Sequence, residues 1–467
     1  MKKLLLFISM LVIIGFSAKA QYTKLFDFSN ATGYKPNGSL IYDGTFLYGV
    51  TPYGGTNLEG TIFKIKPDGT GDTVLLNFNI ANGKQPCGSL LYDGTYLYGM
   101  TTYGGTSTSC GSAGCGTLYK IKTDGTGFSQ LLDFSVTAPG ANPYGSLIYD
   151  GTYLYGMTNG IGISSWGTVF KILPNGSGYV KILNFNFTNG GNPTSDLYYD
   201  GTYLYGTAYK GGTGNSCLNN CGVVFKIKPD GTNDSIIHNF NMYDGAGPHS
   251  SLVSDGTFLY GMTSIGGANN LGTIFKTLPN GVGFDTLLSF NTTNGYNPNG
   301  SLIYDGTYLY GMAPSGGANH LGHIFRISPN GTGYKNLYDF TGVADGSDPD
   351  GSLLLQDRCL YGMTAMGGTN NGGTIFKFCD TTANGIKQSS VNNKYITVYP
   401  NPVTKNMTIE SLQKSTMEIL NIQGQTIIRQ QIQQGKTDID ISRLAKGLYI
   451  LRLCSNDKTE VTRFVKE

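Results

Sequence analysis

GSLIYDGTYLYGM, Gly300–Met312, reads as two short strands joined by an Asp-Gly turn, and it decides the fold because the chain repeats it. An Asp-Gly pair favours a two-residue hairpin whose central residues both take positive φ. Further copies begin at Gly38, Gly88, Gly145, Ser195, Ser250 and Gly351. The turn aspartate recurs about every 50 residues, a period typical of propeller blades, at Asp43, Asp93, Asp150, Asp200, Asp255, Asp305 and Asp357.

Each copy contains four strand-like pieces. In the sixth copy these are Ser301–Asp305, Tyr308–Ala313, His323–Ser328 and Tyr334–Phe340. An isolated fourth-strand sequence, Leu25–Phe28, precedes the first copy, and the seventh copy ends at Phe378 without one. Closing a ring with the N-terminal strand would protect the sheet edges. We therefore predict an all-β chain with a seven-bladed β-propeller over residues 21–380. A linear β-solenoid is the alternative, but it gives no reason for the displaced strand.

The repeated phrase itself predicts packing and turn formation rather than chemistry, because it contains no paired acid, base or nucleophile. Each copy carries a Leu-Tyr-Gly glycine, such as Gly311 in the sixth. We expect this glycine to permit close backbone approach near a crowded axis.

The composition excludes one class of partner. The 467 residues carry a net charge of +2, and only 13% of the side chains are charged. Nucleic-acid binding requires a concentrated basic face, so we expect no nucleic-acid partner. The 69 glycines and 32 tyrosines suit many short strands joined by tight turns.

The N-terminus predicts a signal peptide over residues 1–20. Lys2 and Lys3 precede the apolar run Leu4–Phe16, and Ala18-Lys19-Ala20 is a small-residue cleavage site. An uncleaved anchor is the alternative. No other segment resembles a membrane helix, so we expect no integral membrane segment after cleavage.

Outside the cytoplasm, cysteines are free to form disulfides. Spacing and matching strand ends predict three pairs: Cys110 with Cys115, Cys217 with Cys221, and Cys359 with Cys379. Reading the two close pairs as zinc ligands is weaker, because neither has a companion pair or histidine nearby in sequence. Cys87 and Cys454 have no evident partner.

The order Gly-Ser-Leu, Asp-Gly, Leu-Tyr-Gly-Met-Thr, Gly-Gly, Gly-Thr-Ile-Phe-Lys-Ile and Pro-Asp-Gly-Thr-Gly resembles the GloVer tandem repeat of bacterial surface and secreted proteins. The resemblance covers nearly all of residues 22–380. It implies export-associated repeats with varied anchors and no established activity.

Residues 381–394 are small and polar and predict a linker. Residues 395–467 are similar to the type A C-terminal sorting domain of the type IX secretion system. The landmarks are Tyr399-Pro400-Asn401-Pro402, Met417–Leu420 leading to Gly424, and Gly447–Leu451. Alternating apolar residues independently predict a small antiparallel β-sandwich. The resemblance implies the secretion machinery as a partner of residues 395–467; an ordinary accessory sandwich is the alternative.

Variable loops on a rigid scaffold are the usual home of binding residues. Tyrosine and tryptophan suit recognition because they combine apolar area with a polar group. The candidate ligand-binding residues at the loop-rich end are Tyr53, Tyr103, Tyr144, Trp166, Tyr209 and Tyr296. Packing within the loops is the alternative for each.

Catalytic and metal patterns are weak. Asp345, Asp348 and Asp350 cluster before the seventh copy without the spacing of a calcium loop, and His320 and His323 form a His-x-x-His without further ligands. We expect no metal and no cofactor. The sequence predicts a secreted or surface-anchored, non-catalytic propeller that binds a glycan or a protein. A glycoside hydrolase or lyase using those aspartates is the alternative.

Overall fold

The structure, a computed structural model, describes residues 21–136, 140–160, 166–213, 217, 221–379, 396–399, 403–411, 414–420, 426–445, 447–454 and 459–466. The signal peptide expected at 1–20 and the linker expected at 381–394 lie outside these residues, as does the side chain of Cys454. The chain divides into two compact units, residues 1–384 and 385–467. The fold is all-β, as predicted. None of the helices found in the described ranges is long and apolar enough to cross a membrane.

The described residues of the first unit form seven antiparallel sheets. Sheet one is β2 (Ile41–Tyr42), β3 (Leu47–Thr51), β4 (Thr61–Ile65) and β5 (Thr73–Asn77). Sheet two is β6 (Lys84–Tyr92), β7 (Tyr96–Tyr103), β8 (Thr117–Lys122) and β9 (Ser129–Asp133), with a 3-10 turn at Gly111–Ala113. Sheet three is β10 (Ala141–Pro143), β11 (Ile148–Tyr149), β12 (Leu154–Gly160), β13 (Thr168–Ile172) and β14 (Val180–Asn184). Sheet four is β15 (Tyr198–Tyr199), β16 (Leu204–Ala208), β17 (Val223–Ile227) and β18 (Ser235–Asn239).

The remaining three sheets follow the same plan. Sheet five is β19 (Val253–Ser254), β20 (Leu259–Thr263), β21 (Thr273–Thr277) and β22 (Asp285–Ser289). Sheet six is β23 (Ile303–Tyr304), β24 (Leu309–Ala313), β25 (His323–Ile327) and β26 (Lys335–Asp339). Sheet seven is β27 (Leu354–Gln356), β28 (Cys359–Thr364), β29 (Thr374–Cys379) and the N-terminal strand β1 (Gln21–Asp27).

Strand β1 supplies the fourth strand of sheet seven. It pairs antiparallel with β29, from Gln21 opposite Cys379 to Asp27 opposite Thr374. The Tyr22 ring also stacks on Tyr338 of sheet six, with ring centroids 4.1 Å apart. The displaced strand that the sequence places before the first copy is therefore hydrogen-bonded to the last copy.

Apolar side chains fill the space between successive sheets. Each buried cluster of the first unit draws on two neighbouring sheets, and one of them joins the last sheet to the first: Phe28, Leu47 and Phe63 pack with Tyr361 and Ile375. A sheet covered on both faces needs apolar residues on both sides of its strands, which explains the near-continuous apolar runs of the repeat.

The turn of the repeated phrase differs from the prediction. In the first six copies only the glycine takes positive φ, for example 101° at Gly44. The Asp43 carboxylate instead closes the turn, because its Oδ1 accepts the N–H groups of Thr45 and Phe46 at 2.7 Å. Only the seventh copy, which lacks the glycine, has both central residues at positive φ, Asp357 at 50° and Arg358 at 64°.

The Leu-Tyr-Gly glycine also has a different role from the expected one. A Cβ on Gly49 would lie 2.6 Å from Cζ of Phe63, so the missing side chain makes room for an aromatic ring on the next strand. Close backbone approach occurs instead at the first glycine of the phrase. A Cβ on Gly351 would lie 2.1 Å from the carbonyl oxygen of Gly38, which belongs to the adjoining copy.

The three predicted disulfides are confirmed. Cys110 pairs with Cys115, Cys217 with Cys221, and Cys359 with Cys379. The first two staple the long loops of sheets two and four. The third joins the paired ends of β28 and β29.

The second unit contains two antiparallel sheets. One has the order β30 (Ile396–Tyr399), β31 (Asn406–Ser411), β34 (Gly435–Asp440). The other has the order β33 (Thr426–Ile432), β32 (Ser415–Leu420), β35 (Gly447–Cys454), β36 (Thr459–Lys466). Buried Met407 and Ile439 of the first sheet belong to the same apolar cluster as Met417, Leu451 and Phe464 of the second.

Candidate functional site

Each copy of the repeated phrase is preceded by a loop with the sequence Gly-x-x-Pro, from Gly33–Pro36 before the first copy to Gly346–Pro349 before the seventh. The residue before each proline takes positive φ, between 50° and 60°, at Lys35, Gln85, Asn142, Asn192, Gly247, Asn297 and Asp348. Such a conformation costs a non-glycine residue about 1–3 kcal/mol and persists only when its surroundings enforce it. Here the backbone N–H of each residue donates to a carbonyl of the preceding copy at 2.8–3.0 Å. The strained backbone is therefore fixed by its neighbour.

The residue after each proline faces inward. These residues form the post-proline set, Asn37, Cys87, Tyr144, Thr194, His249, Asn299 and Asp350. Every member lines one or both of two adjacent cavities, and Asn37, Tyr144 and Asp350 line both. The scaffold repeats, whereas these seven positions carry six different side chains. The repeat thus presents a varied chemical surface at one place.

Neighbouring members of the post-proline set contact each other. The Asn299 amide Nδ2 donates to Asp350 Oδ1 at 2.8 Å. Thr194 Oγ1 lies 2.8 Å from His249 Nδ1. Asn37 Nδ2 lies 3.9 Å from Cys87 Sγ. These contacts show that successive copies bring the set together.

The large cavity has a volume of about 310 Å³. Its walls include three tyrosines, Tyr53, Tyr103 and Tyr144, together with the carboxylates of Asp348 and Asp350. The Tyr53 ring is held by stacking on Tyr34, with centroids 5.4 Å apart, whereas Tyr144 is 41% exposed. Aromatic faces beside carboxylates are a composition suited to binding an organic ligand.

Burial perturbs both carboxyl groups of the large cavity. Desolvation, with the neighbouring charge of Asp350, raises the pKa of Asp348 to about 6, and the nearby Lys35 opposes this shift. Desolvation also raises the pKa of Asp350, against the hydrogen bond from Asn299. Perturbed carboxyl groups in a cleft mark a candidate functional site.

Two other titratable members of the set are uncharged at neutral pH. Desolvation raises the pKa of the Cys87 thiol, so the reactive thiolate is disfavoured. Burial lowers the pKa of His249 to about 4. Tyr209 packs on the His249 ring at a centroid distance of 4.4 Å.

The small cavity, about 160 Å³, is bounded by a ring of seven residues, one from each copy, which we call the serine ring. In this serine ring the backbone N–H of each member donates to the side chain of the next, over distances of 2.5–3.2 Å. The order is Ser39, Ser89, Ser146, Asp196, Ser251, Ser301, Ser352 and back to Ser39. Six members are the serine, and Asp196 replaces it in the fourth copy.

The structure brings together half of the predicted aromatic residues. Tyr53, Tyr103 and Tyr144 line the large cavity. Trp166, Tyr209 and Tyr296 do not line either cavity. Trp166 packs on Phe187 at a centroid distance of 4.5 Å, and Tyr209 packs on His249, which lines the small cavity.

The three aspartates considered for the enzyme alternative do not all line the same cavity. Asp348 and Asp350 line the large cavity, but Asp345 is 4% exposed and belongs to loop contacts. Its carboxylate accepts the Tyr338 hydroxyl at 2.5 Å and the Thr341 hydroxyl at 2.8 Å. In the described ranges, no group of three or more His, Cys, Asp or Glu side chains is arranged to hold a metal ion.

His320 and His323 also differ in role. His320 is exposed, whereas His323 is fully buried and its Nε2 lies 2.9 Å from the Tyr334 hydroxyl. That hydroxyl donates to the carbonyl oxygen of Asn294 at 2.9 Å. In sheet seven the equivalent loop carbonyl, that of Asp345, is held by Thr374 directly. His323 therefore belongs to the scaffold.

Sequence reasoning missed most of the post-proline set and the whole serine ring. The signal was present as a constant proline followed by a residue that varies among the copies, with six residue types at seven positions. The serine lies inside the repeated phrase, which was expected to serve packing and turns alone. Its position at the cavity follows from contacts between copies, which no single copy contains.

Two family profiles match this sequence. The Gloeobacter/Verrucomicrobia repeat matches residues 12–112, 103–218 and 213–400. The secretion system C-terminal sorting domain matches residues 397–467. A domain of this kind directs type IX export to the cell surface or the medium. No curated protein matches the sequence.

Three solved structures are similar in fold at low identity. PorZ, a surface component of the type IX secretion system of Porphyromonas gingivalis, has a TM-score of 0.44 and 15% identity over 95% of this chain and 60% of PorZ. TolB from Acinetobacter baumannii has a TM-score of 0.39 and 13% identity over 65% and 66% of the two chains. A puromycin-hydrolyzing peptidase of Mycobacterium tuberculosis has a TM-score of 0.47 and 10% identity, over 83% of this chain and 61% of the peptidase. This chain thus spans about three fifths of the length of PorZ.

Proposed function

This chain belongs to the Gloeobacter/Verrucomicrobia repeat family and ends in a secretion-system sorting domain, and from this premise we propose that it is an exported, non-catalytic binding protein. Its seven sheets are the blades of a closed β-propeller, in which β1 completes the last blade. Supporting this architecture are the β1–β29 pairing, the apolar cluster between the last and first sheets, and the serine ring that returns to its start.

The ligand enters the large cavity, where the post-proline set meets Tyr53 and Tyr103. The observation that carries this proposal is the contrast between a repeated scaffold and seven post-proline positions that vary and point inward. A purely structural repeat has no need of that variety. A glycan or a segment of a surface protein fits the aromatic walls.

Binding is tested with the full-length exported protein on glycan and peptide arrays. We expect a specific hit whose affinity falls about tenfold or more in Tyr144→Ala, because that ring is an exposed wall of the cavity. Tyr243→Ala is the matched control, since Tyr243 is 87% exposed and lines neither cavity. A hit that responds equally to both substitutions, or no hit of either class, would contradict the proposal.

A second candidate is a carbohydrate-active enzyme. Asp348, with a pKa raised to about 6, lies in the same cavity as Asp350, and a pair of carboxyl groups is what acid–base glycoside chemistry requires. Polysaccharide turnover that disappears in both Asp348→Asn and Asp350→Asn, and survives in Asp234→Asn, would establish this candidate over the first.

A further inference from the structure

Three side chains of the large cavity, Asp348, Asp350 and Asn37, bring hydrogen-bond acceptors together on one part of its wall. In the described part of the chain, no side chain or backbone group donates to the Asp348 carboxylate, and no lysine or arginine nitrogen lies within 4 Å of Asp348 or Asp350. Asn37, which lines both cavities, has a buried Oδ1 without a hydrogen-bond partner. A buried acceptor left without a donor costs about 1–3 kcal/mol.

The charge around these acceptors is negative. Asp348 and Asp350 line the large cavity, and Asp196 lines the small one. His249 and Cys87 contribute no positive charge, because one is neutral and the other a thiol at neutral pH. Lys35 is the one cation among the residues that line the large cavity, and its side chain is exposed to solvent.

The walls of the cavity add a second preference for a cation. Tyr53, Tyr103 and Tyr144 present aromatic rings, whose faces attract an ammonium group through the ring quadrupole. Elsewhere the fold already uses this pairing: the Lys120 ammonium lies 4.7 Å from the ring centroid of Tyr96.

Resting on the proposed function, we propose that this cavity recognises an organic ammonium group, with the ammonium between Asp348, Asp350 and Asn37 and its carbon body against the three tyrosines. An ammonium offers three donors and no acceptor, which matches the groups that lack partners. A bound cation would also stabilise the ionised form of both aspartates.

The experiment is calorimetric titration of the full-length exported protein with matched amine and neutral compounds. The pairs are glucosamine with N-acetylglucosamine, and a tetrapeptide with a free or an acetylated N-terminus. We expect at least one amine to bind about tenfold more tightly than its acetylated partner, since the acetyl group removes the charge. The sugar and peptide arms show which source supplies the amine.

Asp348→Asn and Asp350→Asn should each weaken amine binding about tenfold, and Asp234→Asn should not, because Asp234 is an exposed carboxylate outside both cavities. Equal binding of amine and acetylated partners, or no amine binding at all, overturns the inference. If neutral glycans then still bind and lose affinity in Tyr144→Ala, the proposed function stands without it. If no compound of either kind binds, both fail.

Discussion

At the scale of the residue, burial in the large cavity makes the ionised form of Asp348 unfavourable. Its pKa is raised from 3.8 to about 6 by desolvation and by Asp350, with Lys35 opposing. The folded state therefore holds this proton more tightly than the unfolded chain, and folding stability declines as pH rises from about 4 to above 6. Asp348→Asn should raise the free energy of unfolding at pH 7.5 by up to about 1 kcal/mol, a figure reduced for partial exposure.

The measurement for Asp348→Asn is denaturant unfolding at pH 7.5 and pH 4. The gain should be present at the higher pH and absent at the lower one, where the native carboxyl is protonated. Asp234→Asn provides the control. Destabilisation at pH 7.5 would mean that the carboxylate is held by donors, against the acceptor-rich description of the cavity.

Among single residues, the candidate site was predictable in part. Tyr53, Tyr103 and Tyr144 were found because aromatic residues in variable loops attract notice by type. Asn37 and Thr194 are ordinary loop residues by type, and their importance comes only from position after the proline. Residue type alone identifies the tyrosines as candidates. Asn37 and Thr194 are identified only when the copies are aligned with each other.

At the scale of the element, sheet six lacks a threonine pair that is found in five other sheets. There two threonine hydroxyls meet across the central strands, as at Thr51 and Thr61, 2.8 Å apart; sheet six has Ala313 and buried His323 instead. Burial lowers the pKa of His323 to about 4, while Asp339 opposes this shift. Stability from neutral His323 is present above about pH 6.5 and is lost as pH falls toward 4.

The double substitution Ala313→Thr with His323→Thr should reduce this acid sensitivity. Between pH 7 and pH 5 the native protein should lose about 1–2 kcal/mol more stability than the double variant. Thermal unfolding at both pH values measures it, with His320→Asn as the exposed control. Identical pH dependence in native and double variant would show that His323 is not the group responsible.

Strand β1 does more than pair with β29, because Tyr22 also contacts sheet six and the loop that follows it. The Tyr22 hydroxyl donates to the carbonyl oxygen of Asp345 at 2.6 Å, and its ring stacks on Tyr338. Tyr22→Ala should cost about 3 kcal/mol in denaturant unfolding, because a packed aromatic ring and a hydrogen bond are both lost. Tyr243→Ala should cost little. A loss below about 1 kcal/mol would place β1 outside the cooperative unit.

At the scale of the whole molecule, the sorting domain decides location. Deleting residues 395–467 removes the seven strands that the structure describes in the second unit. The first unit should then accumulate in the periplasm instead of reaching the surface, as measured by cell fractionation and surface protease accessibility. Unchanged surface display would show that export does not depend on this unit.

The overall architecture was more predictable than the site for a physical reason. Strand pattern, turn aspartates and the displaced Leu25–Phe28 are repeated or conspicuous, so one sequence contains the same information several times. The cavities arise where different copies meet, and their lining positions are those at which the copies disagree. Repetition therefore makes the fold easier to predict from sequence and the cavity residues harder to predict.

The position of β29 in the interior of sheet seven has a mechanical consequence. The last described residue of the first unit is Cys379, at the end of a strand flanked by β1 on one side and β28 on the other. Tension at this end therefore cannot peel away an edge strand. The Cys359–Cys379 bond passes the load directly into β28. Pulling on the C-terminal end of β29 would therefore have to break the ladders to β1 and β28 at once.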